Sequence, residues 1–255
     1  MSLITTVEGI MSTQMYVWNP DEQSKDQVIS HAIKETYDTV PVKQNGQING
    51  LLYISTGEIK PIRHDVLLSR DTLIPDALTI LSSSHHPALL VLHGQQIDGI
   101  LTPSDFNKVM ARSYFYHLLA WYEMLISEKT RQFYTDQNEI IELIRPPEKT
   151  LAQYRKKVRE RSKSAERNNL NLDLIHNLTL DELESAVLND SVFCLSLGFK
   201  DINHAEHLVD GVNAGFRRKV MHPTRLMLSD DFGIDELNQY VHQVVELIDV
   251  LEGNS

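Results

Sequence analysis

A thirteen-residue pattern occurs twice in the first hundred residues, and it constrains the fold more than any other feature. Val40-Pro41-Val42-Lys43-Gln44-Asn45-Gly46-Gln47-Ile48-Asn49-Gly50-Leu51-Leu52 aligns without gaps on Leu89-Leu90-Val91-Leu92-His93-Gly94-Gln95-Gln96-Ile97-Asp98-Gly99-Ile100-Leu101. Each copy reads as an apolar strand, a tight polar turn at Gly46 or Gly94, and a second strand. An amphipathic helix precedes each copy. Val28, Ile29, Ala32 and Ile33 form the apolar face of the first, and Leu73, Ala77, Leu78 and Leu81 that of the second. A helix–strand–strand unit that recurs predicts two modules packed as a pseudo-symmetric pair.

After Pro103 the pattern turns helical and stays so. Phe106, Val109, Met110, Leu118, Trp121, Leu125 and several tyrosines are expected to line one long apolar stripe. Pro146-Pro147 separates that element from a basic helix. Thr179-Leu180-Asp181-Glu182 is a capping box, which predicts a helix through Leu183, Ala186 and Val187. Another helix is expected to begin near Asp201 to Asn203 and to run to the segment before Pro223. Ile234, Leu237, Val241, Val244, Val245, Ile248 and Leu251 define a last amphipathic helix. The expected fold class is therefore an α+β pair over residues 1–112 followed by an all-α helical bundle over residues 113–255, whose wide apolar stripes predict pairing with a second chain.

Composition narrows the partners. The 255 residues carry a net charge of -11, which disfavours general coating of nucleic acid. Between Arg145 and Arg167, however, Lys149, Arg155, Lys156, Lys157, Arg159, Arg161, Lys163 and Arg167 face only Glu148, Glu160 and Glu166. That basic stretch is either a solvated helix flank or a local face that recruits RNA. No run is apolar enough to span a bilayer, the first ten residues lack the pattern of a secretory signal, and Cys194 has no partner for a disulfide. These features predict a cytoplasmic protein with no membrane segment.

Two groups of residues carry candidate chemistry. Arg217-Arg218-Lys219-Val220-Met221-His222-Pro223 closes the penultimate helix. Glu206, Asp210, Asn213 and Arg217 would step down one helical face, and the acids would orient the guanidinium, which grips phosphate in a bidentate fork. His222, released by the following proline, can move a proton while Arg217 neutralises an oxyanion and Arg218 holds a neighbouring phosphate. The bland alternative is that Arg217 and His222 cap the helix. The second group is Gly99-Ile100-Leu101-Thr102-Pro103-Ser104-Asp105, a strand entering a helix whose first turn presents free backbone N–H groups. Its bland alternative is a capping pair, Thr102 and Asp105. His204 and His207 lack a firm third ligand, so no metal site is expected.

Both groups coincide with known families. Residues from about Val7 to Arg112 resemble a tandem CBS (cystathionine-β-synthase-type) pair. Ile10-Met11-Ser12-Thr13 is similar to that family's opening segment, and Gly99 to Asp105 to its ligand motif. The resemblance implies an adenine nucleotide such as AMP or ATP as a regulatory ligand, with Gly99, Ile100, Thr102 and Asp105 at the site, Thr102 contacting phosphate and Asp105 accepting from ribose. The first repeat departs from it, with Tyr53 at the Thr position and Thr56 at the Asp position. The segment from about Ser113 to Glu252 resembles the HEPN superfamily of RNA-cutting helical domains, through Arg217, His222 and the Val220-Met221-His222-Pro223 flavour, although Arg218 stands where an Asn is usual. That resemblance implies a homodimer cleaving RNA without a metal or other catalytic cofactor, by attack of the ribose 2′-OH. The combined expectation is a nucleotide-regulated endoribonuclease. The alternative is a non-catalytic nucleotide-sensing regulator or scaffold that binds a protein or RNA partner.

Overall fold

The computed structural model describes residues 5–84, 86–136, 138–145, 151–167, 173–222, 224–229 and 231–253, with backbone alone at 151, 152, 162 and 165–167. The chain divides into two units. One is Met1–Tyr114 with Thr224–Asn238, and the other is Phe115–Pro223 with Gln239–Ser255. The sequence assigns Thr224–Asn238 to the second domain, whereas in the structure it groups with the repeats.

In the first unit, α1 (Lys25–Lys34) precedes β1 (Thr39–Gln44) and β2 (Gln47–Tyr53), and β3 (Ile59–Pro61) completes a three-stranded sheet in the order β1-β2-β3. The second sheet has the order β4-β5-β6, built from β4 (Leu67–Ser69), β5 (Leu89–His93) and β6 (Gln96–Leu101), with α2 (Ile74–Ser84) between β4 and β5. Both repeats fold as hairpins, with β1 antiparallel to β2 and β5 antiparallel to β6. Each hairpin shifts register at an equivalent point, between Val42 and Lys43 and between Val91 and Leu92. The repetition thus extends from letters to backbone irregularities. The turns need positive φ, supplied by Asn45 (52°) and Gly46 (82°) in one copy and by Gly94 (63°) in the other. The repeats diverge at their flanks, because β3 runs antiparallel to β2 while β4 runs parallel to β5.

The predicted helix faces are largely those buried. Val28 and Ala32 pack with Trp18, Val40, Val42 and Leu52, while Ile33 turns outward at 63% exposure. Ile74, Ala77, Leu78 and Leu81 are buried on α2, and Leu73 lies just before it, exposed. Leu51 of the first sheet and Leu90 of the second share a buried cluster with Val66, which joins the repeats. The returning segment closes this unit with polar clamps. Asn107 Oδ1 accepts from the amides of Met227 (2.7 Å) and Leu228 (2.8 Å), and Arg112 donates to the Arg225 carbonyl at 2.7 Å. Ser82 donates to Asp235 at 2.6 Å, and Met227, Leu228 and Phe232 are buried.

The second unit is helical. It draws on α3 (Val109–Phe133), α4 (Asn138–Leu143), α5 (Leu151–Arg167), α6 (Leu180–Asn189), α7 (Ser191–Ser196), α8 (Ile202–Val209), a π-helical turn (Val212–Arg217), α9 (Arg218–Val220) and α10 (Ile234–Glu252). The capping box forms as read, with Glu182 accepting from the Thr179 amide at 2.7 Å. On α10, Leu237, Val241, Val244, Ile248 and Leu251 are buried as expected. Cys194 is buried too, and burial pushes its thiol up, with help from Asp201 and Asp190.

Two expectations fail in part. On α3 the buried face is Ala111, Phe115, Leu119, Tyr122 and Ile126; of the expected stripe Phe106 and Tyr122 are buried, while Val109, Met110 and Trp121 are exposed. This helix is apolar on more than one side, so periodicity alone does not fix which seam packs inward. The helix expected to run from Asp201 through Arg217 is interrupted. α8 stops at Val209, and Gly211 takes a left-handed conformation (φ 74°) before the π-helical turn. Tyr240 causes the close approach. A Cβ on Gly211 would lie 2.5 Å from its hydroxyl and 2.8 Å from its ring, and one on Gly215 would lie 2.8 Å from the hydroxyl. The Tyr240 ring stacks parallel to Phe216, with 7° between planes.

Gly211→Ala therefore meets both a positive φ and a ring, and it is expected to cost about 2 kcal/mol or more. Gly46→Ala, facing open space, carries the backbone strain alone. Urea unfolding of both variants checks this: equal losses would show that Tyr240 does not set the break.

Candidate functional site

The Gly99–Asp105 segment builds one wall of a cleft in the first unit. Gly99 has a packing role. A Cβ there would lie 2.9 Å from Met11 Sδ and 3.1 Å from the Ser12 carbonyl. Without it, the N-terminal segment approaches β6 closely enough for Ser12 and Ile100 to exchange both backbone hydrogen bonds (2.9 and 3.0 Å). Ser12 thereby reaches Asp105.

Asp105 is 2% exposed and fully engaged by protein groups. Its Oδ2 accepts from the Thr102 amide (2.7 Å) and hydroxyl (2.9 Å), and its Oδ1 accepts from Ser12 Oγ (2.9 Å) and pairs with Lys108 Nζ (2.6 Å). Lys108 also donates to the carbonyls of Ile10 (2.6 Å) and Met11 (3.1 Å). Buried charge is tolerable only when paired and hydrogen-bonded, and this carboxylate is both. Of the four residues assigned from sequence, Ile100 and Thr102 line the cleft, whereas Gly99 and Asp105 stand behind its wall. The capping geometry that was the bland alternative is present, and it coexists with an open site.

The cleft has a volume of ≈530 Å³, within the range of small-molecule pockets. Hydroxyls of Ser12, Thr36, Thr39, Thr102 and Ser104 and the rings of Tyr16 and Tyr37 face it. Glu35 and Asp38 also line it, and among the described residues no Lys or Arg does. Sequence reasoning missed the residues from Tyr16 and from Glu35 to Thr39. Their signal was position, since the latter run directly into the first repeated strand.

The second group lies in the helical unit. Arg217 is half-buried and Arg218 and His222 are exposed, with Pro223 outside the described residues. The break at Gly211 removes Glu206 and Asp210 from the expected ladder, and only Asn213 keeps its place, accepting from Arg217 Nη1 at 3.3 Å. Two acids of α6 interact electrostatically with the guanidinium instead. Asp181 and Glu184 both feel the Arg217 charge. Glu184 accepts from Tyr122 Oη at 3.1 Å and from Asn213 Nδ2 at 3.5 Å. Burial pushes its carboxyl up to about 8; Asp181 and Glu123 add to this, while the Tyr122 hydrogen bond and Arg217 oppose it. Burial likewise raises Asp181 against the pull of Arg217. The available signal was two acids three residues apart in a capped helix.

The basic stretch on α5 is largely committed within its unit. Arg155 pairs with Glu142 and donates to the carbonyls of Ile141 (3.1 Å) and Glu142 (2.8 Å), Arg159 pairs with Glu142 at 3.5 Å, and Arg161 pairs with buried Glu182, which also accepts from Tyr154. Lys157 and Lys163 remain exposed. Among the described residues no cluster of three metal-ligating side chains occurs, and no helix is long and apolar enough to cross a membrane.

No protein-family model and no curated protein matches the chain. Solved structures do. One is CBSX2 in complex with AMP, at 17% identity over 44% of this chain and 97% of that chain, with a TM-score of 0.35. Another is a hemolysin-like protein containing a CBS domain from Oenococcus oeni PSU, at 20% identity over 40% and 86%, with a TM-score of 0.32. A third is protein MJ1004 from Mathanocaldococcus jannaschii, at 12% identity over 75% and 100%, with a TM-score of 0.37.

Glu184 makes a testable pH signature. Its folded value of about 8 exceeds its ordinary 4.5, so between these values the native state holds a proton that the unfolded chain has lost. Stability is then greatest below 4.5 and falls as pH rises through 8. Urea midpoints of the wild type should decline from pH 5.5 to 8.5 more steeply than those of Glu184→Gln, which cannot ionise. Parallel slopes would contradict the assignment.

Proposed function

We propose that the chain is a nucleotide-responsive regulatory protein. In this reading the repeated unit acts as a tandem CBS pair that binds an adenine nucleotide in the cleft beside Thr102, and the helical unit carries the response. The cleft itself is the observation that carries the reading. Its hydroxyls match the donors and acceptors of a ribose and a base, Tyr16 and Tyr37 offer flat apolar surface to a purine, and with Glu35 and Asp38 as its charged lining the cleft takes the nucleoside part and leaves the phosphates to solvent. Thr102 and Ile100 contact the ligand, while Gly99 and Asp105 hold the wall that positions them. The repeat, with its matched hairpins and bulges, supports the pairing of two modules. The response follows if the ligand binds one arrangement of the first unit better than another.

Calorimetry of the full chain with adenosine, AMP and ATP tests this. Saturable binding of at least one is expected, and Tyr37→Ala should weaken it about five- to tenfold through lost stacking. Thr102→Val gives a second probe on the opposite wall. The reading fails if none of the three binds, or if binding ignores both substitutions.

A finer reading assigns metal-independent endoribonuclease activity to the helical unit, with Arg217 as clamp for the transition-state charge, His222 as general acid or base, and Arg218 as holder of a neighbouring phosphate. Exposed Arg218 and His222, in the same short segment as an Arg217 hydrogen-bonded to Asn213, favour it. Exposed Tyr116, Trp121 and Met124 on α3 support a homodimer. Cleavage of RNA in EDTA should give cyclic-phosphate ends, and His222→Asn should reduce the rate at least a hundredfold without lowering stability. Absence of cleavage by the wild type, with nucleotide present or not, leaves the non-catalytic regulator.

A further inference from the structure

The first repeat has its own cleft, and its chemistry is opposite to that of the second. It lies beside Tyr53, which occupies the position that Thr102 holds in the other copy, and its volume is ≈240 Å³ against ≈530 Å³. That is below the range that encloses a nucleotide-sized ligand. Two aromatic side chains take up the room. Tyr53 Oη and His86 Nδ1 are 3.0 Å apart and share a hydrogen bond. Asp65 Oδ2 lies 3.4 Å from His86 Nε2, which fixes the ring from the other side. Lys60 Nζ sits 4.6 Å from the centre of the Tyr53 ring, and Arg63 completes the charged lining.

The balance of charge is the informative part. Lys60 and Arg63 supply two fixed positive charges against the single carboxylate of Asp65, and that carboxylate is turned to His86. Among the described residues neither Lys60 nor Arg63 forms an ion pair. In the other cleft the charged lining residues are Glu35 and Asp38. Pseudo-symmetry therefore places a cationic pocket and an anionic pocket at equivalent points of the two repeats. A small cleft with two unneutralised cations, a phenol and an oriented imidazole matches one class of ligand: a tetrahedral oxyanion, which accepts hydrogen bonds on every face.

We propose that the first repeat is a binding site for a small oxyanion of the phosphate type, held by Arg63 and Lys60, with the Tyr53 hydroxyl as a hydrogen-bonding partner that His86 positions. The site is independent of the ligand assigned to the Thr102 cleft. Its cations are solvent-exposed, so binding is modest in strength and weakens as salt rises.

Inorganic phosphate is the probe, titrated into the full chain at constant ionic strength and followed by NMR chemical shifts. Saturable shifts centred on Tyr53, Lys60, Arg63 and His86 are expected. Arg63→Gln, a surface change, should weaken binding about tenfold. Tyr37→Ala, in the other cleft, should leave it unchanged. The proposal is overturned if the shifts fail to saturate, if Arg63→Gln binds as the wild type does, or if the shifts centre on Ser12 and Thr102.

Discussion

One buried carboxylate organises the first unit. Asp105 gathers the Thr102 amide and hydroxyl, the Ser12 hydroxyl and the Lys108 ammonium, at 2.6 to 2.9 Å. These partners come from the N-terminal segment, the end of β6 and the turn after it. Remove the carboxylate, and Lys108 is left facing carbonyls while Ser12 loses its acceptor. Four good contacts offset the large cost of taking a charge out of water, and they do so only because Gly99 lets the Ser12 backbone come close. The open cleft beside Thr102 is a consequence of that closure. Its wall includes the turn that the Asp105 carboxylate ties to the N-terminal segment.

The duplicated unit shows how one backbone supports two chemistries. Both hairpins keep the same bulge and the same joining contacts between Leu51 and Leu90. Exchange of Thr for Tyr at one register position, with His86 opposite, shrinks the cleft of the first copy by more than half. Surrounding substitutions then set the sign of the field, with Lys60 and Arg63 on one side and Glu35 and Asp38 on the other. The character of each cleft thus resides in side chains displayed on a shared scaffold.

In the helical unit the same logic appears as a conflict between local and tertiary preference. Residues 202 to 220 read locally as one helix, but Tyr240 on α10 requires a space that only glycine at 211 and 215 leaves. The backbone answers with a left-handed residue and a π-helical turn, which breaks the expected ladder from Glu206 and Asp210, and Arg217 bonds to Asn213 while its charge acts on Asp181 and Glu184 of α6. A π-helical turn next to a buried, raised carboxyl is the kind of local departure that accompanies functional positions in helices.

The sequence by itself determined whatever depends on neighbours along the chain. The two hairpins with their positive-φ turns, the Thr179–Glu182 cap and most of the buried face of α10 follow from spacing of a few residues. Tertiary structure alone decided which of several apolar seams on α3 is buried, where the long helix breaks, and that Thr224–Asn238 returns to the repeats through Asn107 and Arg112. It also decided the cleft, of which Ile100 and Thr102 were legible in one motif while Tyr16, Glu35 and Asp38 came from distant segments. The physical reason is common to these cases. Local pattern fixes which side chains share a face, but packing between segments far apart in sequence selects the face that loses water and the acid that meets a given base.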